Sequence, residues 1–240
     1  NIMSNLRAII LCGGKGERLK PFTITLPKPL MPVGEYPILE IVIKQLVENK
    51  ITNITLAVNH QAKLIESFFG DGSAWGAKID YSLESKALGT VGPLSIIDNL
   101  PDNFLVMNAD ILTDLSFLTL FKKHLKNKNI MTISGSERKQ HIDFGVLKRN
   151  KKNNLISFLE KPTDNHLVSM GIYILNKSIL NYIPKNKKYG FDQLIYKLLK
   201  NKIQIGVIAH KKYWLDIGRP DDYVEAIKQI EMNKSLFINE

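Results

Sequence analysis

Residues 7–19 read RAIILCGGKGERL, an apolar run that ends in three glycines and an arginine. A short run that is apolar throughout is typical of a strand buried on both faces, as in a parallel sheet. Because ligands of open α/β sheets lie at the carboxyl ends of the strands, this loop is predicted at a binding edge. Its glycines would let backbone N–H groups approach an anion or a flat base with no Cβ in the way.

Strand-like apolar runs alternate with helical patterns along the first half of the chain. Strands are expected at 7–11, 54–58, 79–83, 104–107 and 130–134. Helices are expected from Pro37 onward and at 62–69, 92–99 and 117–126. This alternation predicts an α/β class fold, Rossmann-like, with three layers and a mixed, mostly parallel central sheet between helices.

The second half of the chain has a different pattern. Residues 145–149 and 155–160 flank the polar stretch NKKNN, which predicts a small β-hairpin. Further strands are expected at 168–175 and 204–208, and helices at 191–200 and 221–232. Because the sequence contains neither a repeat nor a long linker, we expect one domain over residues 1–240. The hairpin is expected to cover part of its site.

The composition argues against several classes of protein. The net charge is +10, but only 5 of the 33 basic residues are arginines, and the lysines are scattered, which favours a solvated surface over a nucleic-acid interface. The single cysteine, Cys12, excludes an internal disulfide and fits a cytoplasmic location. The apolar runs are too short for a membrane-spanning helix, so no membrane partner is predicted.

Two basic side chains point to phosphate. Arg18 follows the glycine loop, and Lys28 lies in PKPLMPV at 27–33, where prolines hold the backbone rigid. A solvated surface lysine seldom sits between two prolines. The two charges would therefore bind the same phosphate groups.

Two aspartates are candidates for a metal site. Asp110 follows the apolar run 104–107, and Asp216 lies in the apolar context of YWLDIGRP at 213–220. A buried carboxylate needs a partner, and two carboxylates with phosphate oxygens and water suit Mg²⁺. The alternative without a metal is that Asp110 caps the next turn. The sequence holds no His/Cys cluster of the kind that binds zinc.

Glu160 and Lys161 end the second hairpin strand, where Pro162 stops it. Neighbouring strand residues point to opposite faces unless the strand ends or bulges. Glu160 would accept hydrogen bonds from a sugar hydroxyl and Lys161 would bind a phosphate. Considered alone, the pair is more simply interpreted as surface charge.

In this order, GGxGxRL, PKPL, a strand ending in NxD, EKP and WxDIG resemble the sugar-1-phosphate nucleotidyltransferases. The resemblance runs from about Arg7 to Tyr223. It implies a GT-A-like nucleotidyltransferase fold, with a nucleotide-binding half at about 7–135 and a sugar-binding half at about 136–240. The chain departs from the family pattern at Glu17, usually Thr or Ser, at Ala109, usually Gly, and at 169–171, often Asn-Ala-Gly.

The resemblance also implies roles for individual residues. The nucleotide is expected to contact Leu11, Gly13, Gly14, Gly16, Asn59, Gly89 and Thr90. The catalytic residues implied are Arg18, Lys28, Asp110 and Asp216, and both aspartates would bind the Mg²⁺ cofactor. The sugar phosphate is expected to contact Gly145, Glu160, Lys161 and Gly171.

Finer similarities suggest the substrates, an NTP and a sugar 1-phosphate. VNH, FFGDGSAWG, LGTVGPLSII and YWLDIGRPDDY look most like bacterial guanylyltransferases of surface-sugar pathways, and closest to the glucosamine-1-phosphate guanylyltransferases of legionaminic acid biosynthesis. GTP is therefore favoured. Mannose- or heptose-1-phosphate guanylyltransferase and MurNAc-1-phosphate uridylyltransferase stay open as alternatives.

Other classes of protein also stay open. A phosphocholine cytidylyltransferase would need clustered aromatic residues, which are not evident, and a glycosyltransferase would be expected to have Asp-x-Asp where Asn108 stands first here. A non-catalytic nucleotide sensor would tolerate loss of the aspartates. The resembling guanylyltransferases often carry N-terminal CBS regulatory domains, so the chain is expected to be excised from a longer one. No sequence pattern indicates an oligomeric state.

Overall fold

The computed structural model describes residues 6–14, 16–59 and 61–238. The strands are β1 Arg7–Leu11, β2 Pro32–Val33, β3 Tyr36–Pro37, β4 Asn53–Val58, β5 Lys78–Leu83, β6 Asn103–Asn108, β7 Ile111–Thr113, β8 Met131–His141, β9 Val146–Arg149, β10 Leu155–Leu159, β11 Thr163–Asn176, β12 Gly206–His210 and β13 Trp214–Asp216. The helices are α1 Ile38–Glu48, α2 Ala62–Phe69, α3 Phe117–Asn127, α4 Phe191–Lys200 and α5 Pro220–Phe237.

A seven-stranded sheet in the order β12-β8-β11-β6-β1-β4-β5 forms the centre of the fold. Strand β11 is antiparallel to both of its neighbours, whereas the other strands run parallel to one another. The predicted mixed, mostly parallel sheet is therefore confirmed. The order places β1 between β6 and β4, so the loops after these three strands meet at one edge.

Helices cover both faces of the sheet and make three layers. One face of β1, β4 and β6 packs against α1, α2 and α3, where Leu39, Ile65 and Phe117 are buried. The other face packs against α4 through Phe191 and Leu194. The helical spacing of apolar residues produces these buried stripes.

The predicted hairpin is present as β9 and β10, which pair with each other in an antiparallel ladder. One expected helix was wrong: residues 92–99 form only a short 3-10 helix, Gly92–Ile96, because the backbone is extended at Ile97. Val91 and Gly92 also donate backbone hydrogen bonds to Tyr189, which fixes the start of that segment. Within the described ranges, no helix combines the length and apolar character that crossing a membrane requires.

Candidate active site

The two aspartates meet through a short ladder that the sequence patterns did not predict. Strand β13 pairs antiparallel with β7 and places Asp216 opposite Ile111. The amide of Ile217 donates to the carbonyl of Asp110 at 3.0 Å, which extends the pairing by one step. Burial is the larger cause that raises the pKa of Asp216, and the charge of Asp110 is the next, so the two carboxylates lie close enough for Asp110 to act on Asp216.

Both basic residues reach this carboxylate pair. Lys28 forms an ion pair with Asp110, and their side chains are only 12% and 19% exposed. The guanidinium of Arg18 packs against Gly218, where an added Cβ would lie 3.0 Å from Nη2. Lys28 and Arg18 both act to lower the pKa of Asp216, against the larger effect of burial. The structure thus brings together all four residues predicted as catalytic.

The donor set of this cluster fits a hard divalent cation. Oδ1 of Asp110 is buried and has no hydrogen-bond partner within the described part of the chain. A cation between the carboxylates of Asp110 and Asp216 would satisfy that oxygen and relieve their repulsion. Among the described residues, no group of three or more His, Cys, Asp or Glu side chains could hold a metal. The remaining ligands would therefore come from phosphate oxygens and water, as is usual for Mg²⁺.

A cavity of about 350 Å³ adjoins the cluster and reaches Asp110. Six of the seven residues predicted to bind the nucleotide line it: Leu11, Gly13, Gly14, Asn59, Gly89 and Thr90. The seventh, Gly16, is not in this lining. Its φ of +62°, and the hydrogen bond that its carbonyl accepts from the Thr23 hydroxyl at 2.8 Å, give it a structural role at the start of the short helix that carries Arg18.

Gly13 allows a close approach inside the cavity. The side-chain amide of Asn59 donates to the Gly13 carbonyl at 2.6 Å, and an added Cβ at Gly13 would lie 2.8 Å from the same side-chain nitrogen. The loops after β1 and β4 are therefore joined directly at the sheet edge. A larger side chain at Gly13 would push them apart.

The loop at Gly89 and Thr90 is fixed by the segment that precedes α4. Gly89 has a φ of +82°, and an added Cβ would lie 2.7 Å from the Tyr189 carbonyl oxygen. The hydroxyl of Thr90 accepts a hydrogen bond from the amide of Phe191 at 3.0 Å. One wall of the cavity is thus tied to the second half of the chain.

Glu84 also lines the cavity, and sequence reasoning missed it. It is 7% exposed, and its Oε2 accepts a hydrogen bond from the amide of Leu88 at 2.7 Å. Its Oε1 lies 3.1 Å from the Cβ position of Gly13. Burial raises the pKa of Glu84, and the bond from Leu88 partly opposes that effect. The missed signal was a carboxylate directly after the strand β5, at the same edge as Asp110.

The residues predicted to bind the sugar phosphate lie in two places. Gly171, with a φ of +72°, packs against Asn108, which lines the cavity; an added Cβ would lie 2.6 Å from the Asn108 amide nitrogen. Gly145 and Glu160 lie together at the base of the hairpin, where an added Cβ at Gly145 would lie 3.3 Å from the Glu160 carboxylate. Glu160 and Lys161 are exposed, and neither is in the lining of the cavity described above.

A sequence profile described as Nucleotidyl transferase matches residues 7–233, almost the whole chain. The chain belongs to this nucleotidyl transferase family. The match covers both halves of the site, from the glycine loop to the segment that carries Asp216.

Curated relatives of this nucleotidyl transferase act on different bases. A UTP–glucose-1-phosphate uridylyltransferase of Synechocystis is 32% identical over 94% of this chain and 63% of its own length. A mannose-1-phosphate guanyltransferase of Aspergillus oryzae is 32% identical over 91% of this chain and 62% of its own. The chain therefore spans a little over three fifths of the length of these relatives.

A solved structure shares the fold of this nucleotidyl transferase over most of the chain. HddC from Yersinia pseudotuberculosis is 26% identical, with a TM-score of 0.73 over 94% of this chain and 99% of that chain. The same protein has been solved in complex with GMP-PN, at 25% identity and a TM-score of 0.71. The three-layer nucleotidyltransferase fold predicted from the sequence is confirmed.

Proposed function

We propose that this chain is a Mg²⁺-dependent guanylyltransferase that joins GTP to a sugar 1-phosphate and releases pyrophosphate. The observation that carries the choice of base is the buried carboxylate of Glu84 in the cavity beside Asp110. Family membership supports nucleotidyl transfer, and the guanyltransferase among the relatives supports guanine.

The reaction needs charge neutralisation more than proton transfer. An oxygen of the sugar phosphate forms a bond to the α-phosphorus of the nucleotide, and the bond to pyrophosphate breaks in line. A phosphate monoester is already a nucleophile near neutral pH. Lys28 and Arg18 would neutralise the phosphates, and Asp110 and Asp216 would hold Mg²⁺. The bound cation would supply further positive charge to the phosphate oxygens.

Glu84 has the hydrogen-bonding pattern that guanine requires. Guanine presents two adjacent donors, N1–H and the N2 amino group, and an ionised carboxylate only accepts. Uracil presents one donor, N3–H, next to a carbonyl acceptor, which a carboxylate oxygen would repel. The bond from Leu88 holds the Glu84 carboxyl in place while Oε1 lies toward Gly13.

For the sugar we propose glucosamine 1-phosphate, as a precursor for a bacterial surface glycan. The support is the resemblance of FFGDGSAWG and YWLDIGRPDDY to the guanylyltransferases of legionaminic acid synthesis. We further propose a single cytoplasmic domain, with N-terminal CBS regulatory domains in a longer chain, as in many of the guanylyltransferases that the sequence resembles. Mannose 1-phosphate is the second candidate, because the guanyltransferase relatives act on it.

The test is pyrophosphate release with Mg²⁺ across four NTPs and the 1-phosphates of glucosamine, N-acetylglucosamine, mannose, heptose and MurNAc. We expect activity in the GTP row and the glucosamine column. Activity in the UTP row alone would refute the guanine assignment and match the Synechocystis relative. No pyrophosphate release with any substrate pair, from a folded chain that binds an NTP, would favour a sensor or a phosphocholine cytidylyltransferase.

The substitution Glu84→Gln tests the role of the carboxylate directly. Glutamine accepts one hydrogen bond and donates another, which suits uracil better than guanine. We expect kcat/KM for GTP to fall about 10- to 100-fold and kcat/KM for UTP to rise. Glu231→Gln on α5 is the matched control and should change neither value. An unchanged preference for GTP in Glu84→Gln would remove Glu84 from base selection.

A further inference from the structure

Trp214 connects the carboxylate cluster to the backbone of the sugar-binding half. Its indole Nε1 donates a hydrogen bond to the carbonyl of Met170 at 3.1 Å. Trp214 lies on β13 two residues before Asp216, and alternate residues of a strand point to the same side. One short strand thus carries both the carboxylate and the indole that contacts Met170 of β11.

Residues 169–171 form a bulge within β11, which is also held by the burial of Met170 and by a hydrogen bond between the hydroxyls of Ser169 and Tyr173 at 3.1 Å. The ladder between β11 and β8 is interrupted between Ser169 and Tyr173, so the residues between them are outside its regular register. The hydroxyl of Ser169 accepts a bond from the amide of Gly171, at the long distance of 3.3 Å. Gly171, which adopts the left-handed φ, packs directly on Asn108 at the cavity. A small movement of this bulge would therefore change the shape of the cavity wall.

Arg138 also contacts Trp214. Its guanidinium carbon lies 4.6 Å from the centroid of the Trp214 ring, within the range of a cation–π contact. Its Nη2 also donates to the carbonyl of Trp214 at 3.5 Å. Since Arg138 belongs to β8, the indole is held between two strands of the sugar-binding half, β8 and β11.

We propose that Trp214 is a positioning residue, which holds the 169–171 bulge of β11 in place beside Asp216 so that the sugar 1-phosphate is bound next to the carboxylate pair. This inference rests on the proposed nucleotidyl transfer to a sugar 1-phosphate. The indole acts through the backbone of Met170 and does not itself touch the substrate. Loss of its N–H would leave the Met170 carbonyl without this bond and weaken the hold on the bulge.

The substitution Trp214→Phe removes the N–H and keeps an aromatic ring beneath Arg138. With GTP and glucosamine 1-phosphate, we expect the KM for the sugar phosphate to rise about tenfold. The KM for GTP, and the GTP affinity measured by calorimetry without sugar phosphate, should stay within about twofold. Trp75→Phe makes the same chemical change beside Phe68 and Phe69, away from the site, and should leave all three values unchanged.

Hydrogen exchange gives a readout that does not depend on activity. Amides of 169–171 should exchange faster in Trp214→Phe than in the parent chain or in Trp75→Phe. Arg138→Gln, which loosens the indole without removing its N–H, should give a smaller increase of the same sign, and it stands in if Trp214→Phe does not fold.

The outcomes separate this inference from the proposed function. Unchanged exchange at 169–171 would overturn it. Faster exchange with an unchanged sugar-phosphate KM would also overturn it, yet would leave guanylyl transfer intact. A parent chain that is inactive with every substrate pair would refute the proposed function, and exchange alone would then decide whether Trp214 holds the bulge at 169–171.

Discussion

The carboxylate cluster and the hairpin are both predicted parts of the site, but the chain holds them very differently. Asp110 and Asp216 are fixed by a strand ladder, by an ion pair with Lys28 and by a largely buried setting. Glu160 and Lys161 follow a two-stranded hairpin whose apolar side chains are open to solvent, with Phe158 54% exposed and Leu147 67% exposed. A two-stranded hairpin has little stability of its own.

This contrast indicates a division of labour within the site. The phosphate and metal end is preorganised, because charge neutralisation in the transition state depends on fixed groups. The hairpin end contributes binding through exposed side chains, whose interactions are weaker in water. Substitutions at the cluster should therefore affect turnover, whereas substitutions at the hairpin should affect sugar-phosphate affinity.

The largest effect is expected from Asp110→Asn and Asp216→Asn. Each removes one carboxylate from the pair, so we expect turnover to fall about 10³-fold or more, with much less loss of nucleotide binding. Pyrophosphate release and calorimetric GTP binding measure the two effects. Asp114→Asn is the control, since Asp114 is a similarly shielded carboxylate paired with His210 away from the cavity. Near-wild-type turnover in both variants would rule out the metal assignment.

Asp216→Asn should also change stability with a definite sign. The folded-state pKa of Asp216 is raised, so the ionised carboxylate destabilises the fold at neutral pH. The asparagine variant should therefore have the larger free energy of unfolding at pH 7. This advantage should shrink as the pH falls through the raised folded-state pKa toward 3.8, the ordinary value. A variant less stable than the parent at pH 7 would contradict this.

The sequence predicted the residues of the cluster but not how they meet. Asp110 and Asp216 were recognised because each follows an apolar stretch, yet β7 and β13 have three residues each, too few for a periodic pattern. Their pairing joins positions about a hundred residues apart, which no local pattern indicates. The ion pair between Lys28 and Asp110 was missed for the same reason: it exists only once the sheet edge is assembled.

On the nucleotide-binding side, by contrast, the sequence did hold a local signal that was overlooked. Glu84 ends its strand just as Asp110 does, so the rule that found one carboxylate would have found the other. The polar residues around it, in LESKALG, suggest an ordinary surface loop. Only the folded structure shows that the side chain is buried, against the Gly13 loop and with a local hydrogen bond from Leu88.

The next largest effect is a loss of stability confined to the preorganised half. Gly89→Ala places a side chain at a φ of +82° and 2.7 Å from the carbonyl oxygen of Tyr189, which is backbone and cannot easily move. We expect the free energy of unfolding to fall by about 3 kcal/mol. Gly14→Ala, where an added Cβ meets nothing within 4 Å, should change it far less. Urea denaturation measures both, and equal losses would mean that the Gly89 loop is not held by Tyr189.

The smallest effect should come from the hairpin. Lys161→Ala removes an exposed charge, so we expect the fold to be unaffected and the KM for glucosamine 1-phosphate to rise about tenfold, as for one lost charged hydrogen bond. Lys148→Ala on β9 removes another exposed lysine from the same hairpin and should leave that KM unchanged. A fall in kcat equal to that of Asp216→Asn would show that Lys161 stabilises the transition state as strongly as the cluster does. The hairpin would then have to close on the carboxylate pair during turnover, and the contrast between the two regions would describe only the free chain.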